Sequence, residues 1–83
     1  MPFNIAWDEK AYREIEKLEP IIARRIVKKI DELSENPYSK DIMKLKGEES
    51  FRLRIGDYRV IFVIDKDRIL ILKVGHRKNI YER

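Results

Sequence analysis

The sequence predicts an α+β fold in which a helical hairpin packs on one face of a mainly antiparallel four-stranded sheet. Three observations support this fold. Apolar residues recur at helical spacing between residues 9 and 35, strand-like alternation runs from 51 to 76, and the links between the predicted strands are short and polar. The element order is β-α-α-β-β-β, and at 83 residues we expect residues 1–83 to form one domain.

The first half of the chain predicts a short strand and two helices. Residues 3–7, FNIAW, read as the strand, and Asp8 is placed to cap a helix that ends near Leu18. Glu19-Pro20 ends that helix and begins a second, which runs to about Glu35 because Asn36-Pro37 follows. The second helix has an apolar stripe spaced by four, four and three residues: Ile22, Ile26, Ile30 and Leu33.

Residues 36–50 read as a polar connection without regular structure. Met43 and Leu45 are its candidates for contact with the core, and its lysines include Lys44 and Lys46.

Three strands then follow at 51–55, 58–64 and 69–76, joined by Gly56-Asp57 and by residues 65–68. Alternation along the first two strands predicts that Phe51, Leu53, Ile55, Tyr58, Val60, Phe62 and Ile64 face the helices. In the third strand, alternation places Leu70, Leu72 and Val74 in the core and Ile69, Ile71, Lys73, Gly75 and Arg77 on the open face.

Basic side chains collect on the predicted open face. The two-residue loop places Arg59 directly opposite Arg54, with Arg52 farther along the same face. Like charges opposite each other on a ladder destabilise it by roughly 0.2–1 kcal/mol. A role other than stability is therefore expected, and guanidinium groups match phosphate oxygens in pairs. Lys73 and Arg77 add positive charge, so the pattern predicts an anion-binding face.

Composition supports an anionic partner and excludes some classes of site. Residues 1–39 carry 7 Lys/Arg and 8 Asp/Glu, a net charge of −1, whereas residues 40–83 carry 12 and 7, a net charge of +5. The absence of cysteine excludes disulfides and thiolate metal sites. Without a long apolar run or the layout of a signal peptide at the N-terminus, a soluble cytoplasmic protein is expected.

Two motifs carry a resemblance to a known family. FRLRIGDYRVIF at 51–62 and VGHRKNIY at 74–81, with LKG at 45–47, resemble the RelE/ParE toxin superfamily and in particular its RelE branch. The resemblance implies a toxin of a type II toxin–antitoxin system that cuts mRNA on the ribosome. It also implies that a RelB-like antitoxin neutralises the toxin, with the ribosome and mRNA as its other partners and no membrane involved.

The resemblance also assigns residues. It implies a catalytic set of Arg52, Arg54, Arg59, Arg77 and Tyr81, and we predict an RNA-binding set of Lys44, Lys46, Lys73, His76 and Lys78. Some relatives carry lysine where this chain has Arg52 and Arg54. Since arginine effectively cannot lose its proton, a role as base does not transfer to these positions. Alternation places His76 on the helix-facing side of the sheet. Neither a metal nor a cofactor is expected.

Three other functions fit the same pattern. The chain could be a ParE-like inhibitor of DNA gyrase, a non-catalytic nucleic-acid-binding module, or an inactive toxin that retains only antitoxin binding. The basic and aromatic residues at 75–81 favour the ribonuclease. For the antitoxin, the sequence leaves three surfaces open: the exterior of the helix pair, the sheet edges and the basic face.

Overall fold

Two helices pack against one face of a five-stranded mixed sheet in the computed structural model, which describes residues 3–37, 41–45 and 49–80. The strand order is β1-β5-β4-β3-β2; β1 is parallel to β5, and the other neighbouring pairs are antiparallel. The elements are β1 (Asn4–Trp7), α1 (Glu9–Glu16), α2 (Pro20–Glu35), β2 (Ile42–Lys44), β3 (Ser50–Ile55), β4 (Tyr58–Asp65) and β5 (Arg68–His76).

Both helices begin where the sequence predicts. The Asp8 carboxylate accepts a hydrogen bond from the backbone N–H of Lys10 at 3.1 Å, which caps α1, and Pro20 occupies the first turn of α2. The predicted stripe of α2 faces the sheet, with Ile26, Ile30 and Leu33 almost fully buried. Neither helix combines the length and apolar content that a membrane crossing needs.

The α+β fold class is confirmed, but the predicted number of strands is wrong. Residues 42–44, assigned to an irregular connection, form β2 and pair with β3 at the sheet edge. This strand has only three residues and no apolar alternation, so its sequence gives no strand signal; pairing satisfies the backbone groups of β3. Leu45 is buried as expected, whereas Met43 is 54% exposed and does not reach the core.

A β-bulge divides β5, and the residues before it face opposite to the prediction. Phe62 pairs with Ile71 while its neighbour Ile61 pairs with Lys73, so Leu72 is an extra residue in the ladder. Before the bulge, Ile69 and Ile71 are fully buried and Leu70 only partly, the opposite of the predicted assignment; Leu72 is also only partly buried. After the bulge, Val74 faces the core and Gly75 the open side, as predicted.

The bulge predicts unequal costs for two neighbouring truncations. Ile71→Ala removes a fully buried side chain and should lower the free energy of unfolding by about 2–5 kcal/mol. Leu72→Ala, the matched control, should cost clearly less because that side chain is only partly buried. Urea denaturation of both variants measures the difference. A larger loss for Leu72→Ala would restore the uninterrupted alternation and contradict the bulge.

Candidate nucleic-acid interface

The register of the β3–β4 hairpin gathers three arginines on the side of the sheet away from the helices. Arg54 pairs with Arg59, and Arg52 pairs with Ile61. Their neighbours Leu53 and Val60 are 4% and 0% exposed in the core, so alternation turns the arginines outward. We call this group, together with Arg77, the basic face.

A tight turn holds Arg59. Gly56 has a φ of +57°, a conformation that glycine adopts without strain, and this allows the two-residue loop to close. The guanidinium of Arg59 donates from Nη1 to the carbonyl oxygens of Gly56 at 2.8 Å and of Tyr58 at 2.9 Å. The turn therefore fixes the position of this side chain at the end of the hairpin.

Arg54 and Arg52 turn toward β2 and the residue before it. Nη2 of Arg54 lies 3.2 Å from the Asp41 carboxylate, and Nη2 of Arg52 donates to the sulfur of Met43 at 3.5 Å. Since Arg59 bonds to the turn and Arg54 to Asp41, the two directly opposed charges have separate partners. This arrangement reduces the repulsion that the register would otherwise impose.

Arg77 joins the basic face through the hairpin turn. Its backbone N–H donates to the carbonyl of Asp57 at 2.7 Å, and its Nε lies 3.7 Å from the Asp57 carboxylate. The residue after the end of β5 is thereby tied to the loop that also positions Arg59.

Ile80 packs on the open side of the sheet. Gly75 pairs with Arg59, and a Cβ on Gly75 would lie 3.2 Å from Cδ1 of Ile80. Ile80 is 6% exposed, so glycine at position 75 leaves the space in which this side chain packs.

Lys73 lies at the margin of the open face, beside α1. Its Nζ is 3.7 Å from Oε2 of Glu14, whose other oxygen accepts the backbone N–H of Val74 at 2.9 Å. Where β1 ends, the backbone N–H of Asp8 donates to the Ile71 carbonyl. Farther along the same edge of β5, the hydrogen-bond partner is the Glu14 carboxylate. This acid was missed by the sequence analysis, because its contact spans sixty residues of the chain.

Several predicted site residues do not join the basic face. Lys44 pairs with Phe51 and so shares the helix-facing side, while His76 pairs with Tyr58 on that side and meets its ring edge-on at 5.4 Å. Lys78 is exposed in the turn after β5. Lys46 and Tyr81 lie outside the described residues.

Three carboxylates lie near the cations and were not predicted. The position of only one of them could have been inferred from the sequence. Asp57 follows Gly56 in the hairpin loop, so its proximity to the hairpin end could have been inferred from sequence. Asp41 and Glu14 approach through tertiary contacts that no local pattern encodes. In the described ranges no group of three or more His, Asp or Glu side chains is arranged to hold a metal ion.

The acids hold the arginines only weakly. The side chains of Arg54 and Asp41 are 59% and 36% exposed, and those of Arg77 and Asp57 are 58% and 68% exposed. Exposed ion pairs of this kind contribute about 0–1 kcal/mol. A phosphate group that offers paired, charge-assisted hydrogen bonds can therefore replace either carboxylate.

Comparison with known proteins identifies the class. Residues 5–81 match the family described as the ParE toxin of type II toxin–antitoxin systems. The toxin RelG of Mycobacterium tuberculosis is 34% identical, and the alignment covers 100% of both chains. The chain therefore belongs to this family of type II toxins. It is a toxin of RelE type.

Solved structures show the same fold. A chain of the toxin–antitoxin complex RelBE2 from Mycobacterium tuberculosis is 30% identical, with a TM-score of 0.83 over 93% of this chain and 100% of that chain. A chain of the archaeal RelE–RelB complex from Pyrococcus horikoshii is 27% identical, with a TM-score of 0.82 over 96% of this chain and 100% of that chain.

Neutralising the carboxylates tests whether they lock the arginines in place. Asp41→Asn and Asp57→Asn should each change the free energy of unfolding by no more than about 1 kcal/mol, because both pairs are exposed. Both variants should bind heparin more tightly, since cations are released. Denaturation and heparin-column retention measure the two effects. Asp65→Asn makes the same change in net charge beside Arg68, away from the basic face, and is the control whose gain in retention the two variants should exceed. A large loss of stability without a gain in retention would make the arginines structural.

Proposed function

We propose that this RelE-type toxin is a ribosome-dependent endoribonuclease that cuts mRNA and is neutralised by a RelB-like antitoxin. The observation that carries the proposal is the basic face. Arg54 and Arg59 are directly opposed, Arg52 lies on the same side, and Arg77 is anchored to the same hairpin turn. Membership of the family supports this assignment, because RelE toxins act on mRNA in the ribosome.

The reaction that this face can assist is attack of an RNA 2′-hydroxyl on the adjacent phosphate. A bond forms between O2′ and phosphorus, the bond from phosphorus to O5′ breaks, and the products end in a 2′,3′-cyclic phosphate and a 5′-hydroxyl. The 2′-hydroxyl proton leaves to a base, and the O5′ leaving group gains a proton. Extra negative charge develops on the phosphoryl oxygens in the transition state, where fixed guanidinium groups stabilise it.

The arginines have distinct parts in this proposal. Arg59 is held by two carbonyl oxygens and acts as a preorganised donor at the hairpin end. Arg77 and Arg54 exchange their exposed carboxylates for phosphate oxygens, and Arg52 extends the contact along β3. Tyr81 completes the proposed catalytic set. Of the residues predicted to bind RNA, Lys46, Lys73 and Lys78 remain in this proposal. Lys44 and His76 face the helix side and are not part of it.

A self-sufficient ribonuclease supplies its own groups for proton transfer, and in this respect the toxin differs from one. Histidine is the side-chain type most often used for proton transfer, and His76, the one histidine in the sequence, faces the helices rather than the arginines. The described part of the basic face therefore supplies charge and geometry rather than a neutral-pH base. This favours a toxin that depends on the ribosome to align the 2′-hydroxyl, and we expect free RNA to be a poor substrate.

Removal of a single arginine tests the proposal. In a cell-free translation reaction, Arg59→Ala and Arg77→Ala should each slow mRNA cleavage by about 10²–10³-fold, the usual cost of losing one preorganised donor. Arg68→Ala is the matched control, because Arg68 is an exposed arginine at the other end of β5. Sequencing of the 5′ ends of the fragments, in reactions with and without ribosomes, gives the rate of mRNA cleavage and its dependence on the ribosome.

Intact mRNA in reactions with the parent protein would refute the nuclease, as would undiminished cutting by an Arg59/Arg77 double variant. The ParE description of the matching family keeps gyrase inhibition as a second candidate. Inhibition of DNA supercoiling by the parent protein would favour that candidate. Salt-sensitive RNA binding without cut ends would favour a non-catalytic module.

The outer face of α2 is our candidate for the antitoxin surface. Ile21 is 64% exposed and Val27 is 39% exposed, and Arg24 and Lys28 lie beside Val27 on the rim of a shallow apolar groove. An amphipathic segment with apolar and acidic residues fits both the groove and the flanking charge. The relatives solved in complex with RelB support a RelB-like partner.

Charge placed on the outer face of α2, at Ile21 or in the groove at Val27, should separate antitoxin binding from catalysis. Ile21→Glu and Val27→Glu should weaken binding of the co-encoded antitoxin by about 10–100-fold, because each removes apolar contact area, and should leave mRNA cleavage unchanged. Met43→Glu, at an exposed apolar position on β2, is the control. Calorimetry gives the affinities. Loss of binding in the Met43 variant alone would place the antitoxin on the sheet side.

A further inference from the structure

Two hydrogen bonds close the turn that follows β5, and His76 accepts both of them. Its backbone carbonyl accepts the N–H of Asn79 at 2.8 Å, and its ring nitrogen Nδ1 accepts the N–H of Lys78 at 3.1 Å. A side-chain acceptor that binds the amide two residues later is the geometry by which Asn and Asp stabilise turns. His76 thus has the structural role that Asn or Asp usually has in a turn of this kind.

The ring that makes this bond is held on the helix side of the sheet. His76 pairs with Tyr58, and the two rings meet at 79° with centroids 5.4 Å apart. The ring lines a cleft with Ile22 and Ile26 of α2. An Nδ1 that accepts an N–H carries no proton, so this bond uses the ring tautomer with its proton on Nε2.

Arg77 is the residue that this turn carries. Arg77 lies between the acceptor of both hydrogen bonds, His76, and the two donors, Lys78 and Asn79. Outside the turn, the polar contacts of Arg77 within residues 3–37, 41–45 and 49–80 are with Asp57, through its backbone N–H at 2.7 Å and a 3.7 Å approach of its exposed side chain. The direction in which the guanidinium leaves the backbone therefore depends on the turn.

We propose that His76 is a positioning residue for Arg77, acting through the hydrogen bond that its Nδ1 accepts from Lys78. The inference rests on the proposed nuclease function, in which Arg77 contacts the scissile phosphate. His76 lies on the opposite side of the sheet and touches no substrate. Its contribution is to fix the backbone from which Arg77 reaches the basic face.

Three substitutions at His76 separate the acceptor from the ring. His76→Asn keeps an acceptor bonded to Cγ, where Nδ1 stood. His76→Gln keeps the same amide group but moves the acceptor one bond farther out, and His76→Leu removes it. If the bond to Lys78 is what matters, the Asn variant should behave like the parent protein and the Gln variant should behave like the Leu variant.

Single-turnover cleavage of ribosome-bound mRNA gives the functional readout. We expect the Gln and Leu variants to cut about 10–100-fold more slowly than the parent, the range by which a small misplacement of a catalytic group reduces a rate. The Asn variant should stay within a few-fold of the parent. Thermal unfolding confirms that each variant is folded, and backbone amide exchange of Lys78 should be slow in the parent and Asn variant and fast in the other two.

The outcomes distinguish this inference from the function on which it rests. If the parent cuts, Arg77→Ala does not, and the Gln and Leu variants match the parent, His76 has no positioning role and the nuclease stands. An Asn variant as slow as the Leu variant also overturns the inference, because packing of the ring would then account for the effect. A parent protein that leaves mRNA intact overturns both.

Discussion

The antiparallel register of β3 and β4 is the constraint on which the rest of the site depends. The Gly56-Asp57 loop makes Ile55 and Tyr58 partners, and every pair along the ladder follows from that closure. A shift of one residue would reverse the faces of one strand, for example turning Leu53 to solvent and burying Arg52 and Arg54, at a cost of several kcal/mol. The core that stabilises the fold and the charge that defines the basic face are therefore fixed by the same two-residue turn.

The basic face combines one rigid cation with others that are loosely held. Two carbonyl oxygens hold Arg59 in place, whereas the carboxylates beside Arg54 and Arg77 are exposed and bind them weakly. A face without any acids would repel itself more strongly in the free protein. Exposed acids offset that repulsion at little cost and still allow a polyanion to displace them, which suits a surface that must be both stable alone and able to bind RNA.

The sequence contained the information that is local. Asp8, Pro20 and the α2 stripe gave the helices, and the short Gly56-Asp57 loop gave the register that opposes Arg54 and Arg59. The bulge at Leu72 could not be predicted, because β5 is apolar at every position from Ile69 to Leu72 and alternation has no polar residue there to fix its phase. The contacts of Asp41 and Glu14 with the cations depend on how distant elements pack. The position of His76 on the helix side was predicted, but the bond that it accepts from Lys78 was not.

The central claim is that RNA binds on the open side of the sheet, with a phosphate between the arginines of the hairpin and Arg77. Cryo-electron microscopy of the toxin on a ribosome carrying 2′-O-methylated mRNA tests it most directly, because the methyl group blocks the nucleophile and preserves the bound state. The account predicts phosphate oxygens within hydrogen-bond distance of the Arg59 and Arg77 guanidinium groups, with Asp57 displaced. Density for the mRNA on the helix side, or an Arg77 still paired with Asp57 beside an empty basic face, would contradict it.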